Sequence, residues 1–227
     1  MKKLIRKTLK LFNLEIHWYR PNGNATKRIV NILNHFNAEI VIDVGANEGQ
    51  FAKALLANDF KENIISIEPL RLAHLKLRNS ARRFSNWTVY KKCGFGTRNT
   101  TANINVSKNS VSSSILKIKN KHLELVSDSK VISKEKIKLI TLDTFFKDKK
   151  IYEKKIFVKI DTQGYEKRII EGAKNSLKNI MGFIIETSII KLYEGETLWV
   201  EIVKYLEKLG YKVWSIERGF SNKKTMF

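Results

Sequence analysis

Residues 39–50, EIVIDVGANEGQ, decide the fold. Ile40-Val41-Ile42-Asp43-Val44 is an apolar run of strand length, and Gly45-Ala46-Asn47-Glu48-Gly49 is a turn opening a helix from Gln50. A second apolar run, Ile64-Ile65-Ser66-Ile67, ends at Glu68, about 20 positions further on. A strand, a glycine turn, a helix and an acidic residue after the next strand form an adenosine-binding half-domain. Two adenosine ligands compete for it. A dinucleotide requires G-x-G-x-x-G, so that backbone N–H groups reach a pyrophosphate at a helix N-terminus. Here the turn is G-A-N-E-G, no third glycine follows, and Glu48 stands where a pyrophosphate needs cations or bare N–H groups. The cationic sulfonium of S-adenosylmethionine carries no phosphate and suits a loop flanked by Asp43 and Glu48. Glu68 then accepts hydrogen bonds from both ribose hydroxyls.

The rest of the chain sets bounds on this reading. Its 227 residues suffice for one domain with a full core, with 1–37 as an N-terminal helical cap and 38–227 as the domain proper. The single cysteine, Cys93, excludes a disulfide framework and a Cys-rich zinc site, and fits a reducing, cytoplasmic compartment. No metal site is expected. The apolar runs are short, and Glu186 interrupts the longest, so no membrane span is expected. Residues 2–16 are amphipathic, with Leu4, Ile5, Leu9 and Phe12 on one helical face and five cations mostly elsewhere. That face either docks on an anionic membrane surface, at the inner side of the membrane, or covers the helical layer of its own domain. The net charge of +21 invites an anionic partner, but the lysines are spread over the whole chain, as solvated faces are.

Helices are expected over 25–37, 50–58, 72–83 and 198–209, with another ending near Gly172. Strands are expected over 39–44, 63–67, 87–93, 101–106, 137–142, 156–161, 181–187 and 211–217, and residues 94–135 are the least regular part. Such alternation implies an α/β fold, a mostly parallel sheet with helices on both faces. Ligands sit at the carboxyl ends of the strands in such sheets. Those ends carry Asp43, Gly45 and Asn47, then Glu68, Cys93 and Gly94, Asp161 and Gln163, Glu186, and Glu217. Bland readings exist for several: Asp43 as a partner of loop N–H groups, Glu186 and Glu217 as solvated strand ends, and Glu166 as a helix first-turn carboxylate. Lys159 and Asp161 point to one side of their strand, and a lysine buried there needs a partner. Asp161 is the preferred group for orienting or deprotonating an acceptor hydroxyl. His74 and His122 are titratable alternatives that read as surface residues.

VIDVGANEGQFA, SIEP and FVKIDTQGYEKRIIEGA together resemble the FkbM family of S-adenosylmethionine-dependent methyltransferases. The resemblance runs over about residues 38–222 and includes Ser112-Ser113-Ser114-Ile115. It implies a Rossmann-like class I methyltransferase fold and O-methylation of a sugar, glycan or related small metabolite. By position it implies that residues 43–49 are the cofactor loop, Glu68 the ribose ligand and residues 161–166 the family's aspartate motif. Together with the strand-end reading this gives an expected cofactor site of Asp43, Gly45, Ala46, Asn47, Gly49, Gln50, Glu68, Pro69, Cys93, Gly94 and Asp161, and an expected catalytic set of Asp161, Lys159 and Glu186. The family often has Glu where this chain has Gln163, which leaves open any role there that needs negative charge. The family's last strand is also missing from the sequence after the glycine-phenylalanine turn, so an open sheet edge, or pairing of that edge with another chain, is expected. An RNA methyltransferase and a non-catalytic relative that binds the cofactor or a partner are the alternatives. Asp161-Thr162-Gln163-Gly164 lacks the Pro-Pro-aromatic turn of base methylation, which argues against that reaction and makes nucleic acid the less favoured partner, with ribose methylation left open by composition.

Overall fold

A computed structural model describes residues 24–217 and Gly219; the segment 2–16, with both readings of it, lies outside the described residues. Helix α1 (Ala25–His35) begins at Asn24, whose side chain caps the Lys27 amide. Strand β1 (Ile40–Val44), helix α2 (Gln50–Ala57), β2 (Asn63–Ile67), α3 (Arg71–Ala81) and β3 (Trp87–Val89) follow. Further on, α5 (Leu142–Lys149), β7 (Ile156–Ile160), α6 (Glu166–Ile170), β8 (Ile180–Ile185) and α7 (Trp199–Lys208) complete the main layer. The strands form one parallel sheet in the order β3-β2-β1-β7-β8. All five residues of β1 and of β7 are buried, because helices cover both faces of these near-continuous apolar runs.

Alternation along the strands sorts the core into two sides. Ile40, Ile42 and Val44 join Val158 and Ile160 under Phe145 and Phe146 of α5 and Ile169 of α6. Val41 and Phe157 face the other way, against Val30 and Leu33 of α1, Ala52 and Leu55 of α2 and Leu77 of α3. Asp43 and Lys159 share this second side. The register sets Ser66, Asp43 and Lys159 opposite one another on three adjacent strands, so the sheet carries a polar row through an apolar layer.

A second sheet, order β4-β6-β5, is built from β4 (Gly94–Phe95), β5 (Thr100–Ser107) and β6 (Val131–Ile140). Between β5 and β6 come a tight turn at 108–114 and the short helix α4 (Asn120–Leu125). The stretch that reads as least regular thus contains a ten-residue strand. Its first half, VISKEK, is mostly exposed and is held by backbone pairing with β5. Ile104, Ile137 and Leu139 of this sheet pack with Leu70 and Ala73, over the carboxyl ends of β1 and β2.

Two expected strands are corrected. The strand from Trp87 stops at Val89, and Cys93 lies beyond it in the core. Residues 211–217 form no strand. They alternate like one but meet no adjacent strand, and are held by side chains instead. Tyr211 Oη donates to the carbonyls of Leu177 and Ile180, Trp214 packs at 5.3 Å from Phe36, and Glu217 pairs with Arg28. Glu217 is therefore not among the groups at the ligand end of the sheet. Among the described residues β8 is an edge of the sheet. No helix among the described residues is long and apolar enough to cross a membrane.

Candidate active site

A cavity of about 410 Å³ opens at the carboxyl ends of β1, β2, β7 and β8, roofed by the second sheet and the 108–114 turn. Its floor is the turn after β1. Gly45 has φ +74, and a Cβ there would stand 1.9 Å from the carbonyl oxygen of Asp161, so only glycine lets the ends of β1 and β7 meet. Gly49, also at positive φ, would drive a Cβ into the Trp87 ring at 2.5 Å. It serves packing and does not line the cavity.

The N–H groups of this turn are spent inside the protein. Gly45 and Ala46 donate to the Ile67 carbonyl, Asn47 to Glu68 Oε2 at 2.8 Å, Glu48 to the Gln50 side chain and Gly49 to the Ala46 carbonyl. A pyrophosphate would find no donor over residues 45–49. Glu48 faces away, where Lys76 Nζ of α3 donates to it at 2.7 Å. Asp43 is fully buried beneath the turn. The two acids expected to flank the cofactor are thus structural, and Glu68, Asp161 and Glu186 face the cavity instead.

Asp43 anchors the polar row. Trp87 Nε1 donates to Ser66 Oγ at 2.9 Å, and Ser66 Oγ donates to Asp43 Oδ2 at 3.1 Å. Lys159 Nζ lies 3.2 Å from Asp43 Oδ1 and 3.4 Å from Asp161 Oδ2, and donates to the Gly45 carbonyl at 3.3 Å. Burial opposes the charge on Lys159, but the two carboxylates outweigh it and hold the ammonium above its ordinary pKa. The buried lysine has its partners, and it aims Asp161 at the cavity.

Glu68 is buried at the end of β2 and accepts backbone N–H bonds from Asn47 and Leu70, both at 2.8 Å. Burial outweighs those bonds and pushes its pKa up to about 7. Glu166 is a second buried carboxyl; Oε1 accepts from the amides of Thr162 and Gly164 at 3.0 Å, which fixes the turn after β7. Burial raises it to about 7 as well. Glu186 follows β8 at the cavity mouth and is hydrogen-bonded to Asp161. Burial, and after it the Asp161 carboxylate, push it up to about 8. Asp161 and Glu186 thus form an acid pair at the cavity mouth.

Gly45, Ala46, Asn47, Gln50, Glu68, Pro69, Gly94, Lys159, Asp161 and Glu186 all line the cavity. Asp43 and Gly49 support it from below. Cys93 does not reach it; its thiol is packed in the core, where burial raises it to about 12. His74 and His122 are buried, not surface residues: His74 Nε2 meets the Tyr90 carbonyl at 2.8 Å, and His122 stacks edge-on with Tyr193. Neither lines the cavity. Reasoning from the sequence missed Ser110, which exchanges hydrogen bonds with the Asn47 side chain across the cavity edge, and Tyr193, which reaches Gln163 from the loop after β8. Both sit in segments with no periodic signal. Among the described residues no group of three or more His, Cys, Asp and Glu is placed to hold a metal ion.

A parallel sheet with a glycine turn at its first strand end, an acid at its second and an acid pair facing them is the arrangement of a methyltransferase. The methyltransferase FkbM domain matches residues 43–213, and the chain belongs to that family. No curated protein and no solved structure matches the chain at a significant level.

Proposed function

We propose that the chain is an S-adenosylmethionine-dependent O-methyltransferase acting on a hydroxyl of a sugar, glycan or related small metabolite. The observation that carries the cofactor assignment is the hydrogen-bond state of residues 45–49. Their N–H groups are all used internally, while acidic groups face the cavity beside them. That donor set rejects a pyrophosphate and suits a cation with a ribose. S-adenosylmethionine, when bound, supplies a methyl group made electrophilic by a positively charged sulfur. Glu68 has lone pairs left after its two backbone bonds, and these accept from a ribose diol. Asn47, Pro69 and Gly94 flank it.

Asp161 orients the acceptor hydroxyl and takes its proton, Lys159 holds Asp161 in place, and Glu186 stands beside it at the cavity mouth. Among the described residues Lys159 is the single Lys or Arg lining the cavity, and two carboxylates neutralise it. Among the described residues the positive charge is not focused on the cavity, which favours a glycan or small-molecule acceptor over RNA. The compartment consistent with this reading is cytoplasmic.

Calorimetry with S-adenosylmethionine and with NAD tests the cofactor; binding of NAD alone overturns the assignment. Transfer of labelled methyl groups into glycan extracts, and none into RNA, is the expected outcome for the acceptor. Cofactor binding with no transfer to any extract would leave a non-catalytic relative.

A further inference from the structure

Gln163 is held in an unusual way. It has φ +57, a conformation that costs a non-glycine residue free energy and persists only when its surroundings enforce it. Three bonds do so. Ser114 Oγ donates to its carbonyl at 2.7 Å, Tyr193 Oη donates to Oε1 at 2.9 Å, and Nε2 donates to Asp161 Oδ1 at 3.0 Å. The amide has one sensible orientation. A carboxylate can only accept, so the NH2 must face Asp161 and the oxygen must face a donor. Tyr193 is that donor, its one hydrogen shared between Gln163 Oε1 and the Ser112 carbonyl, each 2.9 Å from Oη. It is 1% exposed, and burial raises its pKa so that the phenol keeps its proton. Its own loop is anchored independently, because Glu196 Oε2 accepts from the amides of Leu192 and Tyr193, and Glu194 N donates to the Lys117 carbonyl.

We propose that Tyr193 and Gln163 form a positioning relay that keeps Asp161 aimed into the cavity. The proposal rests on Asp161 being the group that handles the acceptor's proton. It also accounts for an amide at position 163. A carboxylate there would repel Asp161 and offer it no donor, beside the further acids Glu186 and Glu166. The charged and titratable groups around Asp161 are Lys159 on its own strand, Asp43 of β1 acting through Lys159, Glu166 of α6, Glu186 after β8, and Tyr193. Lys159 is the one cation among them.

The test uses the full chain and two variants. Gln163→Glu adds a like charge and removes the donor, so titration of the Asp161–Glu186 pair should move up by ~1 unit. Tyr193→Phe frees the amide to rotate and should move it in the same direction by less. Carboxyl NMR titration of the cofactor-free protein reads this directly. Turnover should fall about tenfold in Tyr193→Phe, the effect of one lost hydrogen bond, with acceptor KM and cofactor Kd unchanged. The acid limb of its rate profile should move with the titration. A purely structural role would lower thermal stability and leave the pair's titration in place, and that result overturns the relay. In the unmodified protein, the Gln163 side-chain NH2 resonance should shift as the pair titrates, so the relay is tested even if a variant does not fold; an NH2 signal insensitive to pH also overturns it. Absence of methyl transfer by a protein that shows the expected titrations would count against the proposed activity and not against the relay.

Discussion

Asp161 and Glu68 face one cavity but do different work. Asp161 is paired with Lys159 and bonded to Gln163, and the two hold its carboxyl group in place. Asp161→Asn should lower kcat by ~10²–10⁴-fold, as loss of a general base does, while calorimetry shows cofactor binding little changed. Under the proposed function Glu68 binds the cofactor's ribose. Glu68→Ala should weaken S-adenosylmethionine by ~1.5–3 kcal/mol, the range for hydrogen bonds to a charged group, with thermal stability changed far less. Its pKa of about 7 adds a direction with pH. A ribose diol donates best to the ionised form, so binding releases a proton and affinity should rise as pH passes upward through 7. Calorimetry in buffers of different ionisation enthalpy would register that proton.

At the scale of elements, the joint between β1 and β7 carries the site. Gly45→Ala puts a methyl group onto the Asp161 carbonyl and asks alanine to adopt φ +74. A loss on the order of 2–4 kcal/mol is expected from chemical denaturation, with cofactor binding impaired because the turn must move. This joint was legible in the sequence because its signals are local: an apolar run, two glycines and an acid at the next strand end. β1, α2 and β2 are read to within a residue or two for that reason. The roof was not legible. The exposed half of β6, Ser133 to Lys136, looks like a solvated loop, and only pairing with β5 makes it a strand. Residues 211–217 fail in the opposite sense, since alternation without a neighbouring strand is not a strand. Cys93 was placed at a strand end that the strand does not reach. Tyr193 meets Gln163 from 30 residues away, a contact set by tertiary folding alone.

For the molecule as a whole, the site makes stability depend on pH. Glu68 and Glu166 bind their protons more tightly folded than unfolded, where a glutamate titrates near ~4.3. The stability those protons contribute is complete below that value and is lost as pH rises toward 7. On the acid side, Asp143 works in reverse. Hydrogen bonds from Ser176 and Asn175 outweigh its burial and lower its pKa, so its contribution disappears as pH falls through the folded value. Thermal melts should therefore peak at mildly acidic pH and decline toward pH 7–8, by on the order of a few kcal/mol. A flat profile over that window would mean the two glutamates are charged in the cofactor-free fold. The bond between Asn47 and Ser110 acts on a different axis, that of time. It ties the floor of the cavity to its roof through two residues that both hold positive φ, at 46° and 58°. A tie of that kind is expected to slow the departure of a ligand held between floor and roof. Ser110→Ala should speed cofactor exchange several-fold in stopped-flow experiments, and turnover would rise with it if departure of the spent cofactor is the slow step.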